Sequence, residues 1–180
     1  MIRTKAELRH YISEDARVNG MEISWVSYAM RLIYGNVNAC VFRYLKSLRK
    51  YEFYSNINSP IRYWWRYRNR RLGLKYNLAI PINVVAQGLY LPHIEGGVIV
   101  NCKSMGHNCI INSGVVIGNK GDNSNIATIG SNVQLCVGAK VIGAITIGNN
   151  VIVAPNAVVV KDVPDNCIVG GVPAKIIKVF

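Results

Sequence analysis

Proton transfer near neutral pH is the work of imidazole, and only three of the 180 residues are histidine. His10 falls in a stretch with helical spacing, which leaves His93 and His107. A zinc site built from three imidazoles is therefore excluded. His93 sits in Gly88-Leu-Tyr-Leu-Pro-His-Ile-Glu-Gly-Gly-Val-Ile-Val-Asn101, with Glu95 two residues on as the most economical carboxylate to accept from its second ring nitrogen. Asn77 and Asp122 are rivals for that orienting task. The bland alternatives are a structural corner histidine and a solvated glutamate. His107, in Met105-Gly-His-Asn-Cys-Ile110, reads as a solvent-facing residue or a contact to a reacting partner.

What positions these residues is a repeat. Counting in sixes from Ile129 gives Leu135, Val141, Ile147, Val153 and Val159, with Val133, Ala139, Ile145, Val151, Ala157 and Val163 at every fifth place. A period of six belongs neither to a helix nor to a single strand, so it describes a coil. Three hexads per triangular turn put the first residue of each on the axis, with Gly, Asn and Asp at the corners. Gly106, Gly118, Gly130 and Gly148 take second places and Asn108, Asn132, Asn150 and Asn156 fourth places, types that tolerate left-handed turns. The register runs upstream through Ile117, Ile111, Met105 and Ile99. It fails twice. Two residues are surplus after His93, so that the count from Leu91 resumes only at Ile99. Around Asn123 one hexad has no apolar residue and should leave the prism as a loop.

Before the repeat lies a different kind of chain. Residues 1–76 hold 15 Lys and Arg against 5 Asp and Glu, all three Trp and nine of ten Tyr; residues 77–180 hold 6 against 4. Two domains are expected, a basic, aromatic helical one over 1–76 and a nearly neutral coil over 77–180. Thr4-Lys-Ala-Glu7 has capping-box spacing. Apolar stripes at Val26–Ile33 and Val37–Leu48 follow, and Ser59-Pro60 reads as an N-cap with proline at the first helical position, with Ile61, Trp64, Trp65 and Leu72 on one face and Gly73 as the stop. The ten basic residues from Arg43 to Lys75 suit an anionic membrane surface or an acidic saccharide. They equally suit a solvated face with its aromatics packed on the coil. No nucleic-acid-binding module accompanies the charge. The start lacks the apolar run of a signal peptide, and five cysteines without a C-x-x-C spacing read as free thiols, so a cytoplasmic protein is expected.

Gly88-Leu-Tyr-Leu-x-His, Gly97-Val-Ile-Val-Asn101, the Gly118-Asn-Lys-Gly121 turn and the closing Val163-Pro-Asp-Asn-Cys-Ile-Val-Gly-Gly-Val-Pro-Ala-Lys-Ile-Ile177 resemble the hexapeptide-repeat acyltransferases. Within them the likeness is to the serine acetyltransferase branch, which includes O-acetyltransferases of capsule and lipopolysaccharide biosynthesis. It covers residues 77 to 178. The resemblance implies a mainly β fold, a left-handed parallel β-helix behind the helical domain, and a homotrimer that could pair into a dimer of trimers. It implies acetyl-CoA as co-substrate, no metal, and His93 as general base, worth about 10²- to 10⁴-fold. By location Tyr90, Asn101, His107 and Asp122 are candidate acceptor contacts. Gly118, Lys120, Ala139, Ala157, Lys161, Pro173 and Lys175 are candidates for the cofactor, and backbone N–H groups of the Gly96-Gly97 corner for the oxyanion.

Three departures bear on the acceptor. The branch carries an Asp directly before the catalytic His, where this chain has Pro92. It carries another Asp near Leu78, and an Arg-His pair where this chain reads Asn123-Ser-Asn-Ile-Ala127. The expectation is therefore an O-acetyltransferase for a sugar hydroxyl of a surface polysaccharide or its lipid-linked precursor, with peripheral association at the inner membrane face. The alternatives are serine O-acetyltransferase, an N-acetyltransferase of nucleotide-linked amino sugars, and a non-catalytic trimeric scaffold.

Overall fold

The computed structural model describes residues 1–121 and 124–180. Four helices come first: α1 (Lys5–Val18), α2 (Trp25–Ile33), α3 (Val37–Asn56) and α4 (Arg62–Tyr76). Thirteen short strands follow: β1 (Leu78–Ala79), β2 (Val98–Val100), β3 (Cys102–Met105), β4 (Ile110–Ile111), β5 (Val116–Gly118), β6 (Ala127–Ile129), β7 (Gln134–Leu135), β8 (Lys140–Ile142), β9 (Thr146–Ile147), β10 (Ile152–Val153), β11 (Val158–Val159), β12 (Cys167–Gly171) and β13 (Ala174–Val179). The strands stack into three sheets, β1-β2-β5-β8-β11, β3-β6-β9 and β13-β12-β10-β7-β4. From β2 to β10 each run of three strands contributes one rung to each sheet, so the chain coils around a three-sided prism. All pairings are parallel except β12 with β13, which reverses.

The axis residues expected from the period are buried from Ile111 and Ile117 through Ile129, Leu135, Val141, Ile147, Val153 and Val159, and the fifth-place residues lie with them. Thr128 pairs with Thr146, Gln134 with Ile152 and Lys140 with Val158, 18 residues apart in each case, which is three hexads. Where the loop departs, the spacing becomes 24: Val116 pairs with Lys140 and Ile110 with Gln134. These rungs are therefore six residues further apart in sequence than the regular ones; Asn123, where a loop is expected, lies outside the described residues.

Corners divide their work in a way the residue types alone do not reveal. Asn108, Asn132, Asn150 and Asn156 all take the left-handed conformation, with φ of 55 or 56°. The second-place glycines do not. They stand where adjacent coils touch: a Cβ on Gly130 would lie 2.6 Å from the carbonyl oxygen of Gly148, and one on Gly106 2.6 Å from the amide nitrogen of Ser131. Gly106, Gly130 and Gly148 are glycines because there is no room, rather than for their turn; Gly118 has space for a Cβ.

Ile99 is a correction. It is 50% exposed, while Val98 and Val100 on either side are buried. An axis position one residue later flips every side chain of a strand, and the pairing absorbs the slip as an irregularity between Cys102 and Ser104. The apolar run Val98–Val100 conceals this, because its three residues suit either face.

The helices cover the start of the prism. Thr4 and Glu7 form the capping box of α1. Val41, Tyr44, Leu45, Leu48, Leu72 and Tyr76 from α3 and α4 join the same buried cluster as the axis residues. The start of α4 differs from expectation: Ser59 and Pro60 lie in a turn, and the helix begins at Arg62 without a side-chain cap. Gly73 does not stop it. α4 runs on to a left-handed Asn77, and Gly73 is where the helix presses on β1, since a Cβ there would come within 2.6 Å of the Leu78 carbonyl oxygen. The packed face is Asn69, Leu72, Gly73 and Tyr76, leaving Ile61, Tyr63, Trp64 and Tyr67 exposed rather than laid on the coil.

Candidate active site

His93 lies on the corner between the β4-containing and β1-containing sheets, in the first coil. That coil is long: Leu78 pairs with Val98, Val85 with Met105 and Tyr90 with Ile110, 20 residues apart in each case. The surplus lies in the turn that follows His93, where Leu91 to the next axis residue, Val100, is nine residues instead of six. The ring is exposed, and among the described residues no hydrogen bond or ion pair engages it. Glu95 is exposed as well and makes no hydrogen bond to His93. The position where the resemblance expects an acid is filled by Leu78, which is buried in the core. Asn77 is exposed, and its carbonyl accepts from Val98 N–H. Asp122 lies outside the described residues.

The Gly96-Gly97 amides are a correction to the oxyanion expectation. Gly96 N–H donates to Ser113 Oγ at 2.7 Å, and Gly97 N–H to the Ile94 carbonyl at 2.9 Å. Both donors are already committed within the turn.

The other candidates spread over the prism. Tyr90 stands half-buried three residues before His93, between the buried Leu89 and Leu91. His107 is exposed on the next corner round, with its N–H on Ser131 Oγ at 3.3 Å, so one side of the prism separates the two histidines. Asn101, Gly118, Lys120 and Lys161 mark the corner beyond β2, β5 and β11, on the far edge of the β1-containing sheet. Ala139 and Ala157 lie on the His93 corner, with their methyls in the core and their N–H groups on the carbonyls of Cys136 and Ala154. Pro173 and Lys175 sit exposed on the β12–β13 hairpin. A single chain thus has Tyr90, His93 and Glu95 within one short segment of the first coil, Ala139 and Ala157 on the same corner in later coils, and the other described candidates elsewhere. Among the described residues no group of three His, Cys, Asp or Glu is placed to hold a metal ion. Burial pushes the Cys102 thiol up to about 12 and Cys109 to about 11, so neither is a nucleophile at neutral pH.

Composition hides one cluster entirely. Arg49, counted among the basic residues of the front end, is fully buried. Its guanidinium pairs with Asp15 at 2.8 Å and Glu52 at 3.1 Å and donates to the carbonyls of Val85 at 2.7 Å and Ala86 at 2.8 Å. Asp15 in turn accepts from the N–H groups of Gly88 and Leu89, Asn19 Nδ2 donates to the Leu89 carbonyl, and Glu52 accepts from Asn83 N–H. α1 and α3 therefore grip residues 83–89, the backbone leading into His93. The sequence signal was the Arg49/Glu52 spacing of three on one helix face; nothing nearby points to Asp15.

Comparison with known proteins gives the class first. The coil has the fold of solved serine acetyltransferases, a left-handed parallel β-helix behind a helical region, and the repeat region is similar in sequence to serine acetyltransferases. The similarity to individual proteins is as follows. A serine acetyltransferase of Synechococcus elongatus is 39% identical over 95 residues, 52% of this chain and 39% of that protein. One of Mycobacterium tuberculosis is 36% identical over 99 residues, 54% of this chain and 43% of that protein. The chain thus spans about two-fifths of the length of these curated relatives. The soybean serine acetyltransferase apoenzyme superposes with a TM-score of 0.76 at 25% identity, over 96% of this chain and 70% of that one. A serine acetyltransferase solved with CoA superposes with a TM-score of 0.71 at 19% identity, over 96% of this chain and 71% of that one. No family model matches the chain.

Proposed function

We propose that the chain is an acetyl-CoA-dependent O-acetyltransferase with His93 as general base and L-serine as acceptor. The observation that carries it is an exposed imidazole, unbonded among the described residues, at an irregular corner of the coil, inside a segment similar to serine acetyltransferases. His93 takes the hydroxyl proton as the oxygen attacks the thioester carbonyl carbon. The tetrahedral adduct expels the thiolate, the carbon–sulfur bond breaks, and the imidazolium returns the proton to sulfur. The products are an acetyl ester and CoA thiol. The relatives' name favours serine over the sugar hydroxyl expected from the sequence. A homotrimer is the matching assembly, because His93 has an open side that a second copy would wall in.

The sugar reading keeps one support: Pro92 and the buried Leu78 stand where the branch carries acids, so groups that would hold a free amino acid are missing. No helix of the described residues is long and apolar enough to cross a membrane, and the cytoplasmic placement belongs to this proposal.

Thiol release from acetyl-CoA, measured with L-serine, amino sugars and glycans in parallel, separates the readings. Serine-driven turnover that falls about 10²- to 10⁴-fold in His93→Ala with an unchanged melting temperature is the expected result. Turnover with glycans alone replaces serine by sugar. Absence of thiol release with every acceptor, in a protein that still assembles, leaves a scaffold.

A further inference from the structure

A cleft of about 680 Å³ opens between α4 and the outer face of the β1-β2-β5 sheet, a volume in the range of small-molecule sites. His93 is not among its lining residues. Its two walls differ in chemistry.

The sheet wall is apolar. Register sets Ala79 beside Ile99 and Ile99 beside Val116 along the outward side of three successive rungs. Ile99 is half exposed, and Leu74 of α4 facing the same space is 69% exposed. These side chains leave apolar surface open to water inside a concavity.

The helix wall is cationic. Arg66, Asn69, Arg70 and Gly73 share one face of α4 by their spacing of three and four, and all four line the cleft. Among the described residues Arg66 and Arg70 make neither a hydrogen bond nor an ion pair. Asn69 between them is 92% buried, and its Nδ2 has no acceptor. A buried donor without a partner is costly, and folded proteins seldom leave one. The residue lines the cleft between two unpaired guanidinium groups that present planar forks of N–H donors. Gly73 brings the helix against β1, and Gly97, packed on Asn77, lines the cleft as well.

We propose that this cleft binds an organic anion, a phosphate or carboxylate on an apolar body, with the anionic oxygens on Arg66, Arg70 and Asn69 Nδ2 and the body on Ile99, Val116 and Leu74. His93 is not among the residues that line the cleft, and the site is read by binding alone.

Anilinonaphthalenesulfonate, an anion on fused apolar rings, is the probe. Its fluorescence should rise on titration with the full chain, and affinity should fall at least about tenfold in the Arg66→Gln/Arg70→Gln double variant, the loss of two charge-assisted contacts. Asn69→Leu should weaken binding while leaving the melting temperature the same or higher, since it removes an unsatisfied donor. Displacement by inorganic pyrophosphate at lower concentration than by benzoate assigns a phosphate ligand, and the reverse order assigns a carboxylate. Wild-type affinity in the double arginine variant overturns the proposal. So does loss of binding in Trp25→Ala/Ile33→Ala, which would put the probe on the exposed apolar face of α2.

Discussion

The first coil and the later coils use the same architecture and are held by different forces. From Ile129 to Val159 each turn takes 18 residues, its axis is apolar, and asparagine side chains ladder from coil to coil along one corner: Asn132 Nδ2 to Asn150 Oδ1 at 3.0 Å, Asn150 Nδ2 to Asn166 Oδ1 at 2.8 Å. Those turns stabilise one another. The first coil takes 20 residues and gives up part of that regularity. Its backbone is held instead from outside, by Arg49, Asp15 and Glu52, and by Tyr44, whose hydroxyl accepts from Ile80 N–H at 3.2 Å. A coil that satisfies its own repeat has no spare corner; one held from elsewhere can carry a bulge and an unbonded histidine.

The sharpest way to break this contrast is Arg49→Met. It leaves Asp15 and Glu52 buried without a cation and two carbonyls without donors, which should cost about 3–5 kcal/mol in thermal or denaturant unfolding. Amide exchange should accelerate over residues 78–91 well before 129–159. Equal loss of protection in both regions would mean that the helices do not selectively secure the first coil.

Alkaline pH should find the same weakness. Burial pushes Tyr44 up to about 12, Cys102 to about 12 and Cys109 to about 11, and all three lie in the first coil or against it. A folded-state pKa raised above the unfolded value contributes stability that is intact below about pH 9 and is lost as pH rises through 11 to 12. At about 1.4 kcal/mol for each unit, Tyr44 alone contributes on the order of 2–3 kcal/mol of that loss. Melting temperature followed from pH 8 upward should fall more gently in Tyr44→Phe; an identical slope would remove Tyr44 from the account.

The smallest effect belongs to the regular coils. Asn150→Ala puts a Cβ residue into a left-handed turn and cuts the asparagine ladder, for about 1–2 kcal/mol. Asn150→Gly, free to adopt that turn, should cost less. If both cost the same, the ladder rather than the backbone conformation carries the stability.

Much of this was legible before any coordinates. Positions 105 to 159 betray themselves by recurrence, and the surplus after His93 is visible as a failed count. What was hidden depended on contacts distant in sequence. Arg49 looks like any other surface arginine until Asp15, 34 residues away, closes on it. Gly73 looks like a helix stop until the Leu78 carbonyl proves to lie against it. Ile99 looks axial because its neighbours are equally apolar. The cleft beside α4 is legible only in part: the basic run was conspicuous, but which two of its arginines flank a buried amide is a matter of helical phase.

The reversed strand β13 has one more consequence. A parallel coil ends in bare backbone groups, and such an edge can template the next molecule. Here the helices close one end, and on one side of the other end β13 pairs antiparallel with β12 through Val179, Lys178, Ile176, Lys175 and Ala174. No further rung of that sheet can be added in register. The parallel coil is thereby interrupted on that side, and the edge it presents there is β13, a mostly exposed strand of opposite polarity carrying Lys175 and Lys178, the kind of charge that blunts an edge.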